Sequence, residues 1–187
     1  MSNSEPFLFH FININSFSKK KKLQVKAVLN DRKPIVLGLA ETHLAPDCQR
    51  SLKIPGYIPY NFTHTRKSSG LLVYVRNDLC SSSYEKLCKN YNGSMCAFLD
   101  VCSSTDTIRV GFVYIRPSAS TADVELLMKS ITTGSQNRTT ILLGDFNMRS
   151  KEWGDTVNSG PTHLLQKLCL ENNLVVLNKT DAFGLYP

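Results

Sequence analysis

Ile141-Leu142-Leu143-Gly144-Asp145-Phe146-Asn147 is the stretch on which the reading of this chain turns. An apolar run that closes on Gly predicts a buried strand with an abrupt end. The Asp and Asn that follow are then delivered from the strand end toward one place. Two earlier runs have the same form. Phe7 to Ile14 closes in Ile12-Asn13-Ile14-Asn15, and Ile35 to Ala40 closes in Glu41-Thr42. Strand ends offering Asn, Glu and Asp/Asn make an oxygen-rich set of the kind a hard divalent cation takes. Such a set is suited to metal-assisted phosphodiester cleavage.

Working outward, Ser18 precedes Lys19-Lys20-Lys21-Lys22 and a helical stretch to about Asn30, with Leu23, Ala27 and Val28 as its expected buried stripe. Four lysines crowd the first turn, where the helix dipole disfavours them. They are read as a solvated helix face, with a nuclear-localisation run as the sharper alternative. Pro46 to Pro59 reads as a loop, and His64 to Gly70 as a basic turn. Leu71 to Val75 is a strand, and Met95–Val101 with Thr107–Ile115 predicts a hairpin. Val124, Leu127, Met128 and Ile131 give a helix stripe, followed by a polar loop from Thr132 to Arg138. A helix from about Thr162 to Asn172 and a last strand at Leu174–Leu177 complete the pattern. Helices interspersed among strands, some of them antiparallel, point to an α/β layered domain.

The length of 187 residues suits a single domain spanning 1–187, with 42% hydrophobic and 20% charged residues. With that composition, disorder is not the default reading. The net charge of +7 and pI near 9.1 favour a polyanionic partner. Six cysteines without Cys-x-x-Cys or zinc-finger spacing read as reduced thiols. The apolar segment Phe7 to Ile14 is too short to span a membrane and makes a poor signal peptide. A nuclear or cytoplasmic, non-secreted monomer is therefore expected. The sequons at Asn61, Asn92, Asn137 and Asn178 carry little meaning in that setting.

Each polar residue has a plainer reading. Asn13 can simply end a strand, Glu41 can be an exposed residue after one, and Asp145 with Asn147 can build an Asx turn. Tyr114 can be a half-buried strand aromatic. Arg66, Lys67, Arg76 and Arg116 lie near expected strand ends and loops, within reach of DNA phosphates. Tyr57 and Trp153 are candidates for contact with bases, or for packing.

Taken in series, Asn13, Glu41-Thr42-His43-Leu44, Gly70-Leu71-Leu72-Val73-Tyr74-Val75-Arg76, Tyr114-Ile115-Arg116-Pro117 and Gly144-Asp145-Phe146-Asn147 resemble the endonuclease/exonuclease/phosphatase superfamily. Within it the chain looks most like the apurinic-type endonuclease domain of non-LTR, LINE-like retrotransposons. The resemblance implies a four-layer α/β/β/α sandwich, deoxyribonuclease-I-like, with its site where strands of both sheets end. It implies Mg²⁺ or Mn²⁺ at Asn13 and Glu41, and catalytic roles for Tyr114, Asp145 and Asn147. DNA is the implied partner, with a reverse transcriptase domain in a longer parent protein. Family members continue to a terminal Ser-Asp-His motif whose His takes part in cleavage. None of His10, His43, His64 and His163 has that context, so the resemblance implies a domain incomplete at its C-terminus. The implied functions are a metal-dependent DNA-nicking endonuclease, a nucleic-acid-binding remnant without turnover, or an abasic-site nuclease or phosphoinositide phosphatase of the same superfamily.

Overall fold

The computed structural model describes residues 8–46, 48, 52–63, 69–102 and 106–177. Sheet A contains β1 (Phe9–Asn13), β2 (Val36–Ala40), β3 (Tyr57–Asn61) and β4 (Leu71–Arg76), in the order β1-β2-β4-β3. Sheet B contains β5 (Cys80–Ser83), β6 (Lys89–Tyr91), β7 (Ser94–Cys102), β8 (Thr107–Tyr114) and β9 (Thr140–Asp145). Its order is β5-β7-β8-β9, with β6 also paired to β7.

Alternation along the strands dictates the layers, because successive side chains face opposite sides of a sheet. Leu71, Val73 and Val75 of β4 meet Met95, Ala97, Leu99 and Val101 of β7 between the two sheets. Leu72 and Tyr74 face away, onto Val25 and Leu29 of helix α1 (Lys19–Arg32). Cys96 and Phe98 face the other way, onto Val124, Leu127 and Ile131 of α2 (Thr121–Ser135) and Leu165 and Leu168 of α3 (Thr162–Glu171). The result is the expected α/β/β/α sandwich. Gly38 lets the sheets approach: a Cβ there would lie 2.6 Å from the Phe112 ring.

Two parallel pairs position the site. β1 pairs parallel with β2 across α1, and β8 pairs parallel with β9 across α2. Parallel pairs need such crossovers, and both place their carboxyl ends side by side. Asn13, Glu41, Tyr114 and Asp145 all stand at or just beyond those ends. In open α/β sheets that edge is the usual ligand crevice.

Several expectations need correction. In α1 the buried residues are Val25 and Leu29, while Leu23 is 69% exposed. Ser18 caps the helix by accepting from Lys21 N, and that phase turns Leu23 outward. The expected Pro46–Pro59 loop includes the start of β3, because Tyr57 and Pro59 pair with Arg76 and Tyr74 of β4. α2 continues to Ser135, through the first half of the expected polar loop. The short polar strands β5 and β6 were not anticipated, since pairing with β7 and not apolar pattern makes them strands. Leu174–Leu177 is not a strand. Leu174 packs against the α2–α3 core, but Val175 and Leu177 are 78% and 83% exposed. The run in β9 is half-buried throughout, because β9 has one paired neighbour, β8, among the described residues. The basic turn at His64–Ser68 lies outside the described residues.

Candidate active site

The strand ends converge. Asn13 Nδ2 donates to Glu41 Oε1 at 2.8 Å and to Asp145 Oδ2 at 3.1 Å. Tyr114 Oη donates to the same Glu41 Oε1 at 2.7 Å. Tyr114 and Asp145 are direct partners in the β8–β9 register. Residues from positions 13, 41, 114 and 145 thus form one hydrogen-bonded cluster spanning both sheets.

Each local backbone explains its side chain. Glu41 leaves β2 with φ of 53°, a left-handed conformation that costs a non-glycine residue about 1–2 kcal/mol. Backbone bonds over-determine it: Ser16 N donates to Glu41 O at 2.6 Å, and Phe17 N to Thr42 O at 2.9 Å. His43 N is held by Ser69 O at 2.9 Å. Strain held in this way is characteristic of functional sites. Gly144 keeps β9 close to β8, since a Cβ there would meet Val113 O at 2.3 Å. Asp145 is thereby delivered beside Tyr114. Asn147 N donates to Asp145 Oδ1 at 3.2 Å, and Asn147 Nδ2 donates to Ile115 O at 2.7 Å. Asp145 and Asn147 therefore do build the Asx turn, and the turn orients the carboxylate.

The electrostatics follow from these partners. Burial works against ionisation of Glu41, but bonds from Asn13 and Tyr114 and the charge of His43 outweigh it, holding the carboxyl below its ordinary range. Burial, then the Glu41 carboxylate as hydrogen-bond partner and as charge, pushes the Tyr114 phenol well up. The neighbouring Ser69 hydroxyl opposes that shift. Tyr114 is thus a neutral donor at physiological pH. No ion pair among the described residues involves Glu41 or Asp145.

The donor chemistry fits a hard divalent cation. Two carboxylates approach one point with only a neutral amide and a phenol between them, and oxygen ligands are what such a cation takes. No group of three or more His, Cys, Asp or Glu stands together among the described residues. One or two carboxylates with neutral oxygens is the pattern usual for Mg²⁺.

Of the basic residues, Arg116 reaches the site edge, where its Nη1 donates to Asn92 O at 2.8 Å. Arg76 does not. It ends β4 at the opposite edge of sheet A, five residues past Leu71, and pairs with Asp78 at 2.7 Å. Arg66 and Lys67 lie outside the described residues. Tyr57 donates to Pro34 O at 2.9 Å near the far end of α1, and Trp153 packs on the α2–α3 core. Sequence reasoning missed Ser69, whose hydroxyl lies beside Tyr114 and donates to Gly93 O at 3.2 Å. Its only signal was its place beside Gly70. Lys21 was missed as well: its Nζ donates to Ile14 O and, at 2.8 Å, to Asn15 O, tying α1 to the end of β1.

The sequence profile of the family described as endonuclease-reverse transcriptase matches residues 108–184, which include Tyr114, Arg116, Asp145 and Asn147. No curated protein sequence matches the chain. Among solved structures, the endonuclease domain of TRAS1, a telomere-specific non-LTR retrotransposon, superposes with TM-score 0.76 at 17% identity, over 94% of this chain and 75% of that one. TDP2 of D. rerio, complexed with single-strand DNA product, gives 0.57 at 14% identity over 78% and 62%. A mannosyl-6-phosphatase of Bacteroides thetaiotaomicron gives 0.53 at 12% identity over 76% and 65%. The fold is that of the deoxyribonuclease-I-like nucleases and phosphatases. The chain resembles the endonuclease/exonuclease/phosphatase superfamily, and within it the LINE-like retrotransposon endonucleases.

Proposed function

We propose that the chain is a metal-dependent phosphodiesterase that nicks DNA, of retrotransposon origin. The observation that supports this most is the single cluster made by Asn13, Glu41, Tyr114 and Asp145 at four strand ends. Glu41 and Asn13 would hold Mg²⁺ or Mn²⁺, which supplies a Lewis acid to the phosphoryl group and its leaving oxygen.

The chain's own groups divide the remaining work. Asp145 uses two lone-pair sites, one toward Asn13 and one toward Asn147 N, of about four that a carboxylate offers. Another can accept a proton from an attacking water and orient it. Tyr114 is kept protonated and has one proton, held by Glu41; once Glu41 is engaged by the cation, that proton is free to turn to a non-bridging phosphate oxygen as charge develops there. Asn147 stays oriented by its bond to Ile115 O and offers its other amide proton to phosphate. Arg116 at the rim attracts the DNA backbone without reading sequence.

The test is nicking of supercoiled plasmid by purified protein with Mg²⁺ or Mn²⁺, with a chelator control. Open-circular product that disappears with chelator and in Glu41→Gln is expected. Intact plasmid in both metals would overturn the reading. Parallel assays on abasic duplex and on phosphoinositide separate the other activities of the superfamily: faster turnover of either reassigns the substrate.

A further inference from the structure

The chain's net positive charge is concentrated in one stretch of sequence. Residues 19–33 hold Lys19, Lys20, Lys21, Lys22, Lys26, Arg32 and Lys33 against one acid, Asp31. That is +6 of the net +7, so the rest of the chain is close to neutral. These residues are α1 and its C-cap, the helix that covers the outer face of sheet A together with Leu52 and Ile54. Val25 and Leu29 point inward, while Lys19, Lys20, Lys26 and Lys33 are exposed.

Four hydrogen bonds weld the start of this helix to the candidate active site. Lys21 Nζ donates to the carbonyls of Ile14 and Asn15, immediately after Asn13. Ser16 N and Phe17 N donate to the carbonyls of Glu41 and Thr42. Lys19 follows Ser16 by three residues, so its Cα lies within about 11 Å of that anchor. Spending Lys21 on the strand end leaves Lys19 and Lys20 exposed beside the cluster. The first turn carries no acidic residue, although acids are what the dipole favours there. From that point the helix runs back along sheet A for 14 residues, roughly 21 Å.

We propose that α1 is a DNA-backbone ridge: duplex DNA whose scissile phosphate sits at the Glu41–Asp145 cluster continues along Lys19, Lys20, Lys26 and Lys33. This rests on the phosphodiesterase reading for the register of the DNA, but its binding test needs no turnover. About 21 Å matches roughly six base steps at 3.4 Å each along one strand, and the exposed lysines, about two helical turns or roughly 10 Å apart, fall at about every third phosphate. The contacts are to phosphate, so they confer affinity and orientation without sequence preference.

The experiment is fluorescence anisotropy of a labelled duplex with the full chain, in chelator, over a range of salt. The variants are Lys19→Gln/Lys20→Gln and Lys26→Gln/Lys33→Gln. A control, Lys86→Gln/Lys129→Gln, removes the same charge elsewhere. Each ridge pair is expected to weaken binding about tenfold or more at low salt and to reduce the salt slope by nearly one per lost phosphate contact. The control should leave the slope unchanged. Lys19→Gln/Lys20→Gln should also unfold no earlier than the parent, since it removes charges the dipole opposes, so weaker binding cannot be assigned to misfolding. Equal losses in ridge and control pairs would overturn the ridge, as would unchanged slopes in the ridge pairs. Binding to anionic phosphatidylserine vesicles without binding to DNA would overturn it in favour of a membrane surface. Failure of plasmid nicking with intact, ridge-dependent binding would sink the catalytic reading and leave the ridge standing.

Discussion

Two carboxylate clusters in this molecule are built on opposite terms. In one, Asp100 of β7 accepts from Arg109 of β8 through both oxygens, at 2.7 and 3.2 Å, and from Tyr84 Oη at 2.9 Å. Arg109 also donates to Gly134 O at 2.9 Å and lies over the Tyr84 ring. Both charges are buried and neutralise each other. In the other, Glu41 and Asp145 face each other across Asn13 and Tyr114, with only neutral donors between them. The first cluster is saturated and serves the fold. The second leaves charge to be met from outside, which is what a cation and a phosphate require.

The comparison breaks most sharply if neutralising each cluster has the same consequence. Asp145→Asn should slow plasmid nicking by about 10²–10⁴-fold. Its urea midpoint should stay near the parent's, because removing one of two facing carboxylates relieves repulsion. A parental nicking rate would remove Asp145 from the chemistry. Arg109→Ala should do the reverse. Stranding Asp100 should cost about 3–5 kcal/mol in urea denaturation, and any loss of nicking should track the folded fraction. A stability close to the parent's would mean that the buried pair is dispensable.

A divalent cation sharpens the contrast with no need for turnover. Mn²⁺ at about one hundred times its Kd should stabilise the parent by roughly 2.7 kcal/mol, read as a rise in thermal midpoint. Glu41→Gln should lose most of that rise, whereas Asp100→Asn should keep it. An equal rise in all three would place the cation elsewhere. The smallest effect is in acid. Burial raises the Asp100 carboxyl, but the Arg109 and Tyr84 bonds and the Arg109 charge dominate and hold it below its ordinary range. A depressed folded value contributes stability above the unfolded pKa, about 3.9, and loses it as pH falls through the folded value. Acid unfolding of the parent should therefore steepen below about pH 4, and Asp100→Asn should flatten that limb.

The two clusters were not equally legible. Asn13, Glu41, Asp145 and Asn147 could be read because each follows an apolar run that must stop, leaving polar groups at strand ends. Tyr114 read locally as a half-buried strand aromatic, and only the resemblance carried by Tyr114-Ile115-Arg116-Pro117 marked it as a site residue. Asp100 and Arg109 gave no such signal. They sit inside strands where alternation predicts apolar or exposed residues, and only the β7–β8 register sets them opposite each other. The same limit explains Arg76, which local pattern put near a strand end without saying which end faces the site. It also explains Leu174–Leu177, an apolar run that reads as a strand but has no ladder to join among the described residues.

Local chemistry along the chain settled where strands stop, which polar groups they release, that α2 buries its Val124–Ile131 stripe, and that the lysines fall in one helix. Those properties depend on neighbours a few positions apart, so they are written in the order of residues. Folding in three dimensions decided that four strand ends share one edge, that Ser69 and Lys21 brace them, and that α1 carries its charge beside the cluster. Those facts depend on two parallel crossovers and the contact between two sheets, which join residues up to 132 positions apart, a separation at which local pattern carries no geometry.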